Sequence, residues 1–544
     1  MSATPYGRYP CFDSSQRPLH VLVSGAGPSG IAMAIELKKL PNVTFHVFEK
    51  NRDVGGTWLE NRYPGAACDI ASHAYQYTFQ SKTDWSTHFA PADEIGQYFT
   101  SVAKTYDIYP FISFNSRVVS AKWHEERAKW QLEVASVLDD SKPETFEGDV
   151  FINAGGVLND WKWPDIEGLG NFQGNLIHTA AWDDKVDLTD KSVAIIGSGA
   201  TSVQVVPSIQ PAAKQLTVYV RSPTYILPTV GFGVESSTFN EHYSESQIQR
   251  FASDPAYYKE FRKGIEQQMN ENFIASVKSS KEQAEGRKWA ETMMRQAIGS
   301  PELQEKLIPS WELGCRRLTP GRPYLDAVQK ANVDIIRTAI KRVTKIGIET
   351  IDGQVHEADI IVCATGFNTS FSSRYDITGR HGCSLRSLWQ NRGPEAYLGL
   401  AIAGLPNYFT LLGPNCPIAN GSLIPCIEWS VQYIIQALLK IQTEQIKTLD
   451  VKKAMQIHFN EYAQNVHQDL VWTGQCNSWY KDKASGRVTA VWPGSSIHYM
   501  EMTRSPRWED YDIEYVHPNP FMFMGNGISQ REAKNEDLTF CKRH

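Results

Sequence analysis

The sequence predicts an α/β protein with two Rossmann-like dinucleotide-binding domains, and three observations carry that prediction. Two glycine-rich turns, Gly25-Ala26-Gly27-Pro28-Ser29-Gly30 and Gly197-Ser198-Gly199-Ala200-Thr201-Ser202, each follow a short apolar strand and open a helix. In both halves a charged residue closes the next strand 24 residues after the first glycine: Glu49 counted from Gly25, Arg221 counted from Gly197. Between Glu235 and Leu303 the chain turns polar and glycine-poor, with periodic Phe, Ile and Met, which reads as a helical insertion in the second domain.

Composition sets the outer limits. A chain of 544 residues exceeds one ordinary core, so two or three domains are expected. With 42% hydrophobic and 21% charged residues it reads as a globular, soluble protein. A net charge of −6 argues against a nucleic-acid backbone as partner. Nine scattered cysteines without C-x-x-C spacing indicate neither a disulfide framework nor a metal site. A reducing, cytoplasmic setting is the expectation. Met1 to Gln16 lacks the apolar core of a signal peptide, and Lys542-Arg543-His544 matches no anchor. The most apolar zone, Leu398 to Leu439, is interrupted by Gly, Pro and Asn, so no membrane span is expected.

The first unit begins with the strand His20–Ser24 and a helix carrying Ile31, Ala34, Ile35 and Leu37 on one side, ending before Pro41. Gly25 permits the tight turn, Gly27 lets backbone approach a pyrophosphate, and Gly30 lets helix and strand pack. Glu49 closes the second strand, where a carboxylate accepts hydrogen bonds from ribose hydroxyls. A strand from Asp149 to Ala154 leads out of this unit. Ser192 to Ile196 feeds the second turn, whose third glycine is replaced by Ser202, a small residue that loosens the helix–strand fit without abolishing the site. Arg221 follows the strand Leu216–Val220. A guanidinium suits a 2′-phosphate through paired hydrogen bonds, so the opposite charges indicate FAD in the first site and NADPH in the second. The expected domains are 1–155 (FAD, first part), 156–357 (NADP, with the insertion at 235–303) and 358–544 (FAD, second part). The strand Asp359–Cys363, running into Ala364-Thr365-Gly366, reads as the return to the first domain. Tyr408–Asn415 and a helix from Ile424 to Lys440 would complete it.

Between the two turns lies Phe172-x-Gly174-x-x-x-His178-x-x-x-Trp182-Asp183. Here the chain resembles the type I Baeyer–Villiger monooxygenases, whose fingerprint it matches at every fixed position. Gly55-Gly56-Thr57-Trp58, followed by Tyr63-Pro64-Gly65 and Asp69, resembles their second signature. The resemblance implies that Thr57, Trp58, Asp69 and Tyr75 lie near FAD. Many relatives carry Arg where this chain has Ala67. By residue type alone, Trp58 and Tyr63 read as core aromatics and Asp69 equally as a turn residue or cap and as a catalytic group. Leu313-Gly314-Cys315-Arg316-Arg317-Leu318 resembles the segment ending in the catalytic arginine, which maps to Arg317, with Arg316 as the other register. That cation would stabilise the C4a-peroxyflavin anion and the oxyanion formed on a ketone, with Asp69 orienting it. Asn477-Ser478-Trp479-Tyr480 resembles the segment whose Trp contacts the nicotinamide ribose, and Trp479 reads equally as a core or edge aromatic. His178 is expected to position the linker between domains and not to transfer a proton.

The resemblance implies an FAD- and NADPH-dependent enzyme that converts a small-molecule ketone to an ester or lactone with O2. An N- or S-oxygenating flavin monooxygenase shares both turns. A disulfide reductase would need a cysteine pair where the chain has only Cys68. A redox-sensing binding protein would hold the cofactors without turnover. Whether the insertion covers the substrate, and the oligomeric state, are not indicated by spacing.

Overall fold

The computed structural model describes residues 17–139, 141–227, 240, 242–390 and 392–539. Met1–Gln16 and Lys542–His544, read above for targeting signals, lie outside them, as do 235–239 and 241 of the insertion. Two five-stranded parallel sheets organise the chain. In the first, Leu19–Ser24 is central, with Val43–Phe48 and then Ile112–Ser113 on one side, and Val150–Asn153 and then Tyr408–Thr410 on the other. Successive side chains of the central strand enter different cores. Leu19, Val21 and Val23 pack with the helices Pro28–Leu37 and Leu423–Thr443. Leu22 packs instead with Trp130 and Leu132 of the antiparallel sheet Ser116–His124, Lys129–Ser136 and Glu144–Gly148. Both faces are covered, as a parallel sheet requires.

The second sheet runs Val333–Ile336, Gln215–Tyr219, Ser192–Ile196, Ile360–Cys363, Asn175–His178. Two expectations are corrected here. Ile360–Cys363 pairs with Ser192–Ile196 and Asn175–His178, so the chain stays in the second unit through Cys363, and the boundary at 357/358 falls too early. A run of buried β-branched residues marks a central strand but not the sheet that receives it. The fingerprint segment is likewise not simply a linker, because Asn175–His178 is the edge strand of this sheet.

The insertion is helical, with helices Glu245–Ser253, Pro255–Glu271, Lys281–Ala297 and Pro301–Leu307. Each start follows from local chemistry: Ser244, Asp254, Ser280 and Ser300 cap in turn, two of them followed by Pro at the first helical position. Its halves dock on different units. Ile265 and Met269 pack on Ala71 and Ala74, and Tyr258 bonds His73 at 3.0 Å. Ala290, Met294 and Leu307 join the core of the second sheet. Among the described residues no helix is long and apolar enough to cross a membrane.

Candidate active site

A cleft of about 1600 Å³ opens where both parallel sheets present their carboxyl ends. On its first side Gly25 adopts a left-handed φ of +99°, and a Cβ there would lie 2.6 Å from the carbonyl oxygen of Ala154. A Cβ on Gly30 would lie 1.9 Å from the Gly25 carbonyl oxygen. Gly27 caps the helix Pro28–Leu37, and its Cα comes so near Gly56 that a Cβ there would lie 2.9 Å away. This bare backbone cradle at a helix N-terminus fits a pyrophosphate. Glu49, 4% exposed, accepts from the Ala26 N–H at 2.7 Å and the Asn51 N–H at 2.8 Å. Burial raises its pKa while those two donors oppose the rise. Arg374, which spacing did not single out, lines the same side and makes no hydrogen bond within the described residues.

The second turn repeats the geometry with different chemistry. Gly197 has φ +134°, and a Cβ there would sit 2.3 Å from the Ala364 carbonyl oxygen. Gly199 caps the helix Ala200–Ile209, which carries Thr201 and Ser202. Ser202 is fully buried, its Oγ unpaired among the described residues. Arg221 is exposed into the cleft. Arg316 donates to the carbonyls of Ser222 and Pro223 at 3.0 Å each, and burial followed by the charge of Arg221 lowers its pKa. Two guanidiniums thus face one corner.

The two basic neighbours part company at the centre. Arg317 donates from Nε and Nη2 to the two carboxylate oxygens of Asp69, both at 2.6 Å, while Arg316 serves the second turn. The Asp69 charge raises the pKa of Arg317, so it stays cationic. Asp69 is 15% exposed and Arg317 38%, the guanidinium facing the open cleft. Asp69 stands on the loop that follows the helix Thr57–Glu60, where Trp58 Nε1 donates to the Tyr75 hydroxyl at 3.3 Å. The opposing helix holds this loop: Tyr63 donates to Gln204 at 2.8 Å, and Gln204 donates to the Ala67 carbonyl at 2.9 Å. Gln204 was not evident from the sequence, since nothing local marks a residue facing another domain.

The fingerprint residues act as structure. Phe172 folds over Gly174, where a Cβ would lie 2.6 Å from its ring and 2.2 Å from the Asp359 carbonyl oxygen. His178 is 1% exposed and stacks on Trp161 at 4.6 Å. Its Nδ1 accepts from the Ala180 N–H at 3.2 Å, which leaves Nε2–H to donate to Thr365 Oγ1 at 3.3 Å. Burial pushes its pKa down to about 4, in keeping with a neutral ring. Trp182 packs on the second core, and Asp183 accepts from the Lys185 N–H at 3.0 Å. Beside His178 two irregular segments meet: Asn368 donates from its backbone to the Asp160 carbonyl at 2.6 Å and from its side chain to the Asp160 carboxylate at 2.9 Å.

One cysteine expectation is overturned. Cys315 and Cys476, 161 residues apart, form a disulfide, which sequence spacing could not reveal because neither has a cysteine nearby. The other described cysteines are free: Cys68, Cys363, Cys383, Cys416 and Cys426. Trp479 follows this bridge and lines the cleft beside Tyr480. Among the described residues no group of three or more His, Cys, Asp or Glu could hold a metal.

Residues 23–89 match the NAD(P)-binding Rossmann-like domain family. The chain is 40% identical over 537 residues to the FAD-binding monooxygenase stcW of Emericella nidulans, covering 97% of this chain and 89% of that one. It is 33% identical over 493 residues to a Baeyer-Villiger monooxygenase of Pseudomonas aeruginosa, covering 90% of each. The fold is similar to cyclohexanone monooxygenase from Rhodococcus sp. Phi1 bound to NADP+, with a TM-score of 0.79, 26% identity and coverage of 92% of this chain and 100% of that one.

Proposed function

This chain belongs to the type I Baeyer–Villiger monooxygenases, enzymes that use FAD and NADPH, and on that premise we propose that it inserts one oxygen atom of O2 beside the carbonyl of a small-molecule ketone. The products would be an ester or lactone, NADP+ and water. When bound, FAD supplies the activation of O2 and NADPH the hydride.

The observation that carries the proposal is the bidentate Asp69–Arg317 pair, which joins the flavin loop of the first unit to the second at the mouth of both turns. Arg317 offers a permanent cation to the negative charge that develops on the carbonyl oxygen, and Asp69 sets its angle. Glu49 would receive the ribose hydroxyls of FAD with the lone pairs its backbone donors leave free, over the cradle of Gly25, Gly27 and Gly30. Thr57, Trp58 and Tyr75 would flank the flavin. Gly197, Gly199, Thr201 and Ser202 would hold the pyrophosphate of NADPH, with Arg221 and Arg316 at its 2′-phosphate. Trp479 would cover the nicotinamide side. The neutral His178, stacked on Trp161, holds the inter-domain connection and moves no proton. We assign residues 1–155 and the chain beyond Cys363 to the flavin domain and the chain between to the NADP domain.

Product identification tests it. Purified protein with FAD and NADPH in air is offered linear, cyclic and aryl ketones and one thioether, and products are read by mass spectrometry. A ketone product heavier by one oxygen supports the proposal; sulfoxide alone sinks it in favour of a broader oxygenating activity. Arg317→Ala should keep FAD and its reduction by NADPH while losing ester formation by about 10²–10³-fold.

A further inference from the structure

We propose that the Cys315–Cys476 bond is a positioning device for oxygenation, holding Arg317 in register with the Trp479–Tyr480 segment across the cleft. The inference rests on the ketone-oxygenating reading above. Arg317 stands on an irregular segment, since no helix or strand intervenes between Leu307 and Thr319. Such a segment samples many geometries unless it is tied down, and a cation that must meet a developing charge tolerates little displacement.

Two ties hold it. From the insertion, Gln283, 4% exposed, donates to the Leu313 carbonyl at 2.9 Å and accepts from the Leu313 N–H at 3.1 Å, so one amide satisfies both backbone groups four residues before Arg317. The second tie is covalent. Cys315 lies two residues before Arg317, and Cys476 lies three before Trp479. Both cysteines are buried. The segment after Cys476 is itself anchored, because the Tyr480 carbonyl accepts from the N–H groups of Thr489 at 3.0 Å and Ala490 at 3.2 Å. Burial raises the pKa of the Tyr480 phenol, and the Arg317 charge opposes that rise. Gly474 closes the junction, since a Cβ there would lie 2.5 Å from Glu312 and 3.1 Å from the Cys315 sulfur. The bond therefore connects the catalytic arginine's segment, from the NADP domain, to a segment from the end of the flavin domain. Both ends of the bridge flank cleft-lining residues, Arg316 and Arg317 on one side and Asn477 and Trp479 on the other.

The test uses the full-length holoenzyme with a ketone that it oxygenates. Peptide mapping without reductant should recover a cross-linked peptide containing Cys315 and Cys476. The ester formed per NADPH consumed, and the hydrogen peroxide released, are then compared in three samples: the enzyme as isolated, after phosphine reduction, and after reoxidation. Reduction should lower the ester yield per NADPH at least about tenfold, with peroxide making up the difference. Reoxidation should restore it, and FAD reduction by NADPH should be unaffected throughout. Cys315→Ser/Cys476→Ser should behave as the reduced enzyme and resist restoration. A folding defect in that variant leaves the reduction–reoxidation cycle as the deciding measurement. Free thiols at both positions before and after oxidation, or equal coupling with the bond open and closed, overturns the proposal alone. No ester from the oxidised enzyme with any ketone overturns the ketone reading and this proposal with it.

Discussion

The turn Gly25–Gly30 and the turn Gly197–Ser202 begin alike and end differently. In both, the first glycine takes a left-handed φ and presses on a carbonyl of a neighbouring strand's end, Ala154 or Ala364. Both second glycines cap the following helix with extended backbone, at φ −73° and −86°. They diverge at the third position, where Gly30 leaves no room for a methyl group while Ser202 is accommodated fully buried. They diverge again at the charge. Glu49 is enclosed and bound by two backbone N–H groups, whereas Arg221 stands open beside a second guanidinium. A lone carboxylate can be buried when the scaffold supplies its donors. Two like charges are tolerated together where water, or a ligand of opposite charge, reaches both. The first site is thus organised before its ligand arrives, and the second leaves its charge for the ligand to neutralise.

The comparison can be broken most sharply at Gly30. Gly30→Ala forces a contact with backbone that cannot yield, so the purified protein should lack flavin absorbance; normal FAD content would show that the first turn is as permissive as the second. At the charged positions the effect is smaller. Arg221→Ala should weaken NADPH binding by about 10–100-fold, the worth of a hydrogen-bonded charge, and leave NADH nearly unchanged. Equal weakening of both, by titration calorimetry, would remove the phosphate role.

His178, between the two units, sharpens the contrast through pH. Its folded pKa of about 4 lies below the ordinary 6.5, so the unfolded chain takes up the proton first, and stability is lost as pH falls from 6.5 toward 4. The melting-temperature gap between wild type and His178→Gln should therefore narrow over that window; a constant gap would mean that the ring is not held neutral. Smallest of all, Ser202→Gly should change stability by no more than about 1 kcal/mol, the backbone cost of glycine in a helix. A larger loss in thermal unfolding would give the buried hydroxyl a partner the comparison lacks.

Much of this was legible along the chain because it is local. Glycine positions, capping residues and apolar runs constrain φ, ψ and periodicity within a few residues, so both turns, the helix Leu423–Thr443 and the insertion's helices could be read. The equal spacing of Glu49 and Arg221 from their turns was legible for the same reason. The pairing of Arg317 with Asp69 spans 248 residues, so nothing local along the chain distinguishes Arg317 from Arg316 as its partner. Trp161 beneath His178 and Gln204 against Ala67 left no local signal either.

The sequence by itself determined two glycine-rich turns, each between a strand and a helix, and the opposite charges that follow them, because backbone conformation and charge are properties of short segments. Tertiary structure alone decided that Ile360–Cys363 completes the second sheet, that the insertion docks on both units, and that Cys315 meets Cys476. Each of these is a choice of partner among distant segments with similar local preferences, and that choice is made by packing.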